Sequence, residues 1–193
     1  MLSYKESLKI LKETNALIQG HFLLSSGLHS SQYVQCAKLL SKPFKSAIFC
    51  SSLAEKIKKI FTNIDLILAP AMGGIIIGYE IGRLLGIETI FSERVEKKFS
   101  LRRGFSIPHK AKVLIVEDVI TTGKSSLENL ELIKKAKAQI IGYACLIDRS
   151  NGNSLIKEKI VSQIELNIPT YTLENLPDNL ASIKAIKPGS RDI

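Results

Sequence analysis

The sequence predicts an α/β protein: a central parallel sheet flanked by helices, with a smaller unit formed by the chain ends. Three observations carry this reading. Between residues 43 and 150, short apolar runs alternate with longer stretches of helical periodicity, and strands separated by helices pair in parallel through crossover connections. No repeat, low-complexity tract or Pro/Ser-rich linker divides the 193 residues, so any smaller unit must come from the two ends folding back onto the middle. The composition, 45% hydrophobic and 23% charged, is that of a globular chain able to bury one full-sized core.

In chain order, Leu8, Leu11, Ala16 and Ile18 recur among Lys and Glu at helical spacing, which predicts a helix over 3–19 that stops at Gly20. Residues 22–26 and 33–36 flank a turn containing Gly27 and read as short strands. After Pro43, which suits the first turn of a helix, helical periodicity returns over 45–61. Strands follow at 66–69, 89–92, 112–117 and 139–147, with helices at 74–85 and 124–137. In an open parallel sheet, ligands collect beyond the carboxyl ends of the strands. The loops starting at Pro70, Glu93, Asp118 and Asp148 are therefore expected to line one site.

Residues 113–125, Val-Leu-Ile-Val-Glu-Asp-Val-Ile-Thr-Thr-Gly-Lys-Ser, carry the most chemistry. A helix amino terminus offers unpaired N–H groups and a partial positive charge. Gly123 lets the backbone close around a phosphate, and Thr121, Thr122 and Ser125 add hydroxyl donors. Glu117 and Asp118 would repel a phosphate they faced, so at a strand end they read as acceptors for vicinal sugar hydroxyls. Together the two features point to a ribose 5-phosphate. A polar turn capping a helix would explain the hydroxyls but not the paired acids. A Walker-type loop needs Gly five residues before Gly123, where Asp118 stands, and Gly73-Gly74-Ile-Ile-Ile-Gly78 lacks the spacing of a dinucleotide fingerprint.

The formal charge of +9 fits an anionic partner, polyphosphate or nucleic acid, without choosing between them. Cys36, Cys50 and Cys145 are odd in number and far apart, which reads as free thiols rather than a disulfide framework or a zinc site. The uncharged run 66–79 is interrupted by Pro70 and Gly73-Gly74 and is shorter than the roughly 20 residues of a membrane span. The first residues carry charge at Lys5, Glu6, Lys9, Lys12 and Glu13 and lack the apolar core of a signal peptide. The expectation is a cytoplasmic protein with no membrane partner.

Residues 113–125 resemble the motif with which type I phosphoribosyltransferases bind phosphoribosyl pyrophosphate (PRPP). Over nearly the whole chain the sequence is similar to the orotate phosphoribosyltransferases, especially a bacterial subgroup with a shortened active-site loop. The resemblance implies that Glu117 and Asp118 contact the ribose, with Asp118 counted among the catalytic groups. It implies that Val119, Ile120, Thr121, Thr122, Gly123, Lys124 and Ser125 complete the PRPP site. Pro70-Ala-Met-Gly-Gly74 resembles the pyrophosphate loop, which assigns Ala71, Met72, Gly73 and Gly74 to the leaving group.

Residues 20–30, Gly-His-Phe-Leu-Leu-Ser-Ser-Gly-Leu-His-Ser, resemble the family's Phe-x-Leu-x-Ser-Gly segment in a small hood that closes over the base. Ser25 stands where many members have a PRPP-binding lysine, and His21 and His29 read as surface or packing residues rather than its replacement. The resemblance implies a single domain over 1–193, with a hood from 1–40 and 165–193 and a core from 43–150. Residues 93–104 concentrate five cations and by themselves read as a solvated loop or nucleic-acid patch. In the family this region, 93–105 here, is a mobile catalytic lid, which assigns Arg94 and Lys98 to the pyrophosphate, with Lys97, Arg102 and Arg103 as helpers. Asp148-Arg-Ser matches the position of an arginine that forks onto the orotate carboxylate, which makes Arg149, together with Thr121, the base-binding pair. Lys187-Pro-Gly-Ser-Arg191 resembles the subgroup's ending.

The implied reaction displaces pyrophosphate from PRPP by N1 of orotate, giving orotidine 5'-monophosphate in pyrimidine biosynthesis through an oxocarbenium-like transition state. Mg²⁺ is implied as cofactor, held mainly by PRPP, so no protein metal ligand is expected. A homodimer whose lid serves the neighbouring subunit is implied as well. Two alternatives stay open: transfer to another base, and a non-catalytic PRPP-sensing regulator whose positive surface binds nucleic acid. No nucleic-acid motif is visible, so nucleic acid is not an expected partner.

Overall fold

The computed structural model describes residues 1–24 and 26–188. Helix α1 (Tyr4–Glu13) opens with a capping box, in which Ser3 Oγ accepts from the Glu6 N–H and Glu6 Oε2 accepts from the Ser3 N–H at 2.7 Å. It ends well before the predicted stop at Gly20. Thr14 donates its N–H and its hydroxyl back to Ile10 O, and Asn15 takes a left-handed φ of 54°, which turns the chain into β1 (Leu17–Leu23). Gly20 therefore lies inside a strand. β1 pairs antiparallel with β2 (His29–Val34), so the strands predicted at 22–26 and 33–36 shift toward the amino terminus, and Cys36 opens α2 (Cys36–Leu40) instead.

The middle of the chain continues with α3 (Pro43–Ile60), β3 (Leu66–Pro70), α4 (Gly73–Leu85), β4 (Thr89–Val95), β5 (Lys98–Leu101), β6 (Lys112–Ile120), α5 (Lys124–Lys135) and β7 (Gln139–Asp148). β8 (Ile160–Glu165), β9 (Thr170–Tyr171) and α6 (Asp178–Ala181) follow. The large sheet has the order β5-β4-β3-β6-β7-β8, parallel throughout except for β5, which runs antiparallel to β4. β8 is one strand more than predicted, so the core does not stop near residue 150 but reaches Glu165. It is an edge strand in which Val161, Gln163 and Ile164 are buried, and Lys56 Nζ donates to its Ser162 and Gln163 carbonyls at 3.1 and 2.7 Å.

β6 shows how the layers form. Val113 and Ile115 face one side with Ile133 of α5; Leu114 and Val116 face the other with Phe49, Leu53 and Ile57 of α3 and Ile77 and Ile81 of α4. Both faces of the sheet are covered, which is why its central strands read as continuous apolar runs. Each of these fully buried side chains contributes about 1.5–3 kcal/mol of transfer free energy.

A second, three-stranded sheet, β1-β2-β9, joins the two ends of the chain. Leu23 donates its N–H to Ile186 O and Ile186 donates to His21 O. Buried His21 lies with Nδ1 2.7 Å from Ile183 O and Nε2 2.6 Å from His29 Nδ1, so both histidines help to hold this small unit together. Cys36, Cys50 and Cys145 are buried free thiols. Among the described residues no helix is long and apolar enough to cross a membrane. Ser25 and, of the ending motif, Gly189, Ser190 and Arg191 lie outside the described residues.

Candidate active site

At the carboxyl end of β6 the strand runs further than predicted, so Glu117, Asp118, Val119 and Ile120 belong to it and pair with β7 as far as Ile120 opposite Asp148. The chain then turns through Thr121, Thr122 and Gly123 into α5, with Thr121 and Thr122 exposed. Gly123 has a φ of 78°, and a side chain there would meet Ile156 Cγ1 at 2.7 Å and Ser154 Oγ at 2.8 Å. The 150–156 segment braces the turn from outside through the Leu155 N–H, which donates to Thr122 O at 3.0 Å. A glycine is therefore required by conformation and by space.

Facing this turn is the short loop after β3. Pro70, Ala71, Met72 and Gly73 line a cavity of about 310 Å³ with Arg94, Phe99, the 117–125 stretch and Ser126. Gly73 lets the two walls approach, because a methyl group there would lie 2.6 Å from the Asp118 carboxyl carbon. Gly74 is not in the wall. It is buried in the first turn of α4, where its own added carbon would meet Val116 O at 3.0 Å, so its smallness serves packing rather than ligand approach.

The acid pair is held away from solvent. Glu117 is 7% exposed, and burial first, then the neighbouring Asp118 charge, push its carboxyl up to about 8 against a hydrogen bond from Ser126. Asp118 Oδ1 accepts from the Val119 N–H at 2.9 Å, and burial raises its carboxyl too. The same cavity is also lined by Arg94, Lys124 and the α5 amino terminus, so acceptors and anion donors share one space.

The cation-rich segment is a β-hairpin rather than an open loop. β4 continues to Val95, turns at Glu96 and Lys97 with φ of 47° and 68°, and returns as β5. The register pairs Arg94 with Phe99 and Val95 with Lys98. Successive strand residues face opposite sides, so Arg94 and Phe99 line the cavity while Lys98 is exposed outside it. Lys98 thus does not join Arg94 in the wall of its own subunit's cavity. Lys97, Arg102 and Arg103 are also absent from the wall, and Arg103 pairs with Glu93 at 2.9 Å.

Arg149 is outside the cavity wall as well, one step along the sheet edge. Its N–H donates to Ile120 O at 2.8 Å, its half-buried guanidinium is desolvated and thereby lowered from its ordinary value, and Tyr33 of β2 opposes that shift. Arg149 Nε is buried without a hydrogen-bond partner among the described residues. Phe99, Tyr33 and Glu128, which pairs with Arg94, were not singled out in the sequence; the period-two step from Lys98 to Phe99 is the one local signal available for them. Among the described residues no group of three or more His, Cys, Asp or Glu side chains is arranged to hold a metal ion.

Known proteins resemble this chain in sequence and in fold. A family model described as the phosphoribosyl transferase domain matches residues 45–174. A protein named orotate phosphoribosyltransferase from Rhizorhabdus wittichii is 46% identical over 181 residues, 93% of this chain and 92% of that one. Another of the same name from Methylorubrum extorquens is 46% identical over 97% of this chain and 96% of its own. The crystal structure of orotate phosphoribosyltransferase from Aeropyrum pernix superposes with a TM-score of 0.73 at 24% identity, covering 82% of this chain and 92% of that one. Adenine phosphoribosyltransferase from Thermoanaerobacter pseudethanolicus has the same fold, with a TM-score of 0.61 at 17% identity over 70% of this chain and 88% of its own. The parallel α/β sheet with a cavity at its carboxyl edge is thus the type I phosphoribosyltransferase fold, and the chain belongs to the orotate phosphoribosyltransferase family.

Proposed function

We propose that this chain transfers the 5-phosphoribosyl group of PRPP to N1 of orotate, releasing pyrophosphate and giving orotidine 5'-monophosphate for pyrimidine biosynthesis. The observation that carries the reading is the convergence, in one cavity, of an acid pair, a hydroxyl-rich helix amino terminus, a second glycine-containing loop and Arg94. In this reading the 121–125 turn holds the 5-phosphate, Glu117 and Asp118 accept from the ribose hydroxyls, and Ala71, Met72 and Gly73 receive the pyrophosphate.

The reaction needs no covalent nucleophile from the protein. It needs the base and PRPP held in line, negative charge on the departing pyrophosphate met by fixed donors, and water kept from the anomeric carbon. Arg94 serves the second task, and the hairpin that carries it, acting as a lid, serves the third. Arg149, whose Nε has no partner among the described residues, supports a planar fork for the orotate carboxylate, and Thr121 stands between the two substrates. The carboxyl oxygens of Glu117 and Asp118 are hard donors of the kind Mg²⁺ takes, which fits an ion held mainly by PRPP. When bound, Mg²⁺ neutralises charge on the pyrophosphate.

A homodimer is part of the same reading. Met72 before α4, Ile76 and Tyr79 of α4 and Phe44 and Ile48 of α3 are exposed apolar side chains, a surface suited to a second copy. Lys97 and Lys98 face outward on the hairpin, which suits a lid shared between subunits. Three free thiols are in keeping with a cytoplasmic protein.

The test is turnover of PRPP and Mg²⁺ with orotate, uracil, hypoxanthine, xanthine and adenine in turn, following nucleotide and pyrophosphate. Turnover with orotate alone is the expected result. Turnover with another base overturns the role given to Arg149, and no turnover together with salt-sensitive nucleic-acid binding overturns the enzyme reading.

A further inference from the structure

A buried polar chain runs between the phosphate turn and the pyrophosphate loop, and neither loop's sequence contains its central members. Ala71 donates its N–H to Ser92 O at 2.8 Å. The Ser92 hydroxyl donates to Asn129 Oδ1 at 2.5 Å, and Asn129 Nδ2 donates to Ser125 O at 2.9 Å. Ser92 and Asn129 both have zero exposure, so no water competes for these groups. The three bonds join the residue after β3 to the middle of β4 and then to the first turn of α5.

Each member is a poor choice for stability alone. Asn is a weak helix former, a buried hydroxyl on a core strand displaces apolar contact, and a buried amide is costly unless both ends are paired. A fully paired network in a low-dielectric interior instead defines one geometry sharply. What this network defines is the separation between Ala71 and Ser125, the facing walls of the cavity.

We infer that Ser92 and Asn129 are positioning residues that set the spacing of the two anion-binding loops, so that PRPP is recognised as one molecule spanning both. The inference rests on the phosphoribosyl reading above. Ribose 5-phosphate occupies one loop and pyrophosphate the other, and neither alone senses the spacing.

The test uses the full chain with Mg²⁺ and compares equilibrium binding of PRPP, ribose 5-phosphate and pyrophosphate. Asn129→Leu removes both amide bonds at similar volume, and Ser92→Ala, the milder change, removes one. Both variants are expected to weaken PRPP by about tenfold or more and to raise its KM in proportion, while each fragment changes by less than about threefold. The double variant binds PRPP no more weakly than Asn129→Leu, because the two side chains act as one unit. Equal losses for all three ligands, or unchanged PRPP affinity in Ser92→Ala, overturn the inference. A wild-type protein that does not bind PRPP overturns the phosphoribosyl reading itself and the inference with it.

Discussion

Arg94 Nη2 lies 2.7 Å from Glu128 Oε2, so the cavity-lining cation of the hairpin is held by the helix that forms the phosphate turn. The same guanidinium stacks 4.2 Å from the Phe99 ring centroid and donates to Lys97 O at 2.6 Å. Both partners of the ion pair are about a third or more exposed, which limits its contribution to less than about 1 kcal/mol. Glu128 Oε2 is itself buried and makes no hydrogen bond among the described residues, so Arg94 exchanges it for a pyrophosphate oxygen only as the Glu128 carboxylate turns toward solvent. Arg94→Ala is expected to lower kcat by about 10²–10³-fold, and Arg94→Lys to recover little, since a point charge cannot stack on Phe99 and fork at once. Steady-state kinetics with PRPP varied checks this, and an Arg94→Lys variant near wild-type rate would count against it.

Arg149 yields a prediction on the other substrate. Its Nε is buried without a partner among the described residues, so a planar carboxylate would complete its hydrogen bonding. Arg149→Ala is expected to raise the KM for orotate by about a hundredfold while leaving PRPP binding within about twofold. Binding of PRPP in the absence of base, measured beside orotate kinetics, separates the two effects; a parallel loss of PRPP affinity would reassign Arg149 to the phosphate turn.

These residues also mark where sequence reading stops. The acid pair, the Thr-Thr-Gly turn and the central strands are legible because each is local: 113–116 is apolar without interruption, as a strand buried on both faces must be. β8 escapes because Ser162 and Gln163 break its apolar run, although Gln163 is buried with its amide donating to Ser7 Oγ. The first helix is overextended because Ala16 and Ile18 satisfy helical and strand periods alike. The hairpin escapes because its turn uses Glu96 and Lys97 at positive φ, where Asn-Gly would have announced it. Without that register, Lys98 and Phe99 cannot be told apart as outward and inward residues. Ser92 and Asn129 are 37 residues apart, and no local pattern foretells their bond.

Gly123 is the position where backbone conformation and space coincide. With φ at 78° and Ile156 2.7 Å from any added carbon, Gly123→Ala must strain the turn or displace the 150–156 brace. The expected cost is about 1–3 kcal/mol of stability together with weakened phosphate binding. Thermal unfolding and ribose 5-phosphate affinity check the two parts separately; an Ala variant with wild-type values in both would show that the turn tolerates a side chain.

Glu117 makes stability depend on pH in a defined direction. Its carboxyl releases its proton near 4.5 in an unfolded chain but holds it to about 8 in the fold, chiefly because burial disfavours the charge. Between those values the folded state binds more protons than the unfolded one, so this group's contribution is fully present below the unfolded value and is lost as pH rises through about 8. The ligand-free protein should therefore lose stability from pH 5 to pH 9, and Glu117→Gln, which cannot ionise, should flatten that decline. Denaturant unfolding of both proteins across this range is the check. PRPP should flatten the wild-type decline too, because sugar hydroxyls donating to the carboxylate favour its charged form and bring its proton release back toward the ordinary value. If the wild-type and Glu117→Gln curves run parallel with and without PRPP, Glu117 is not the titrating group of this site.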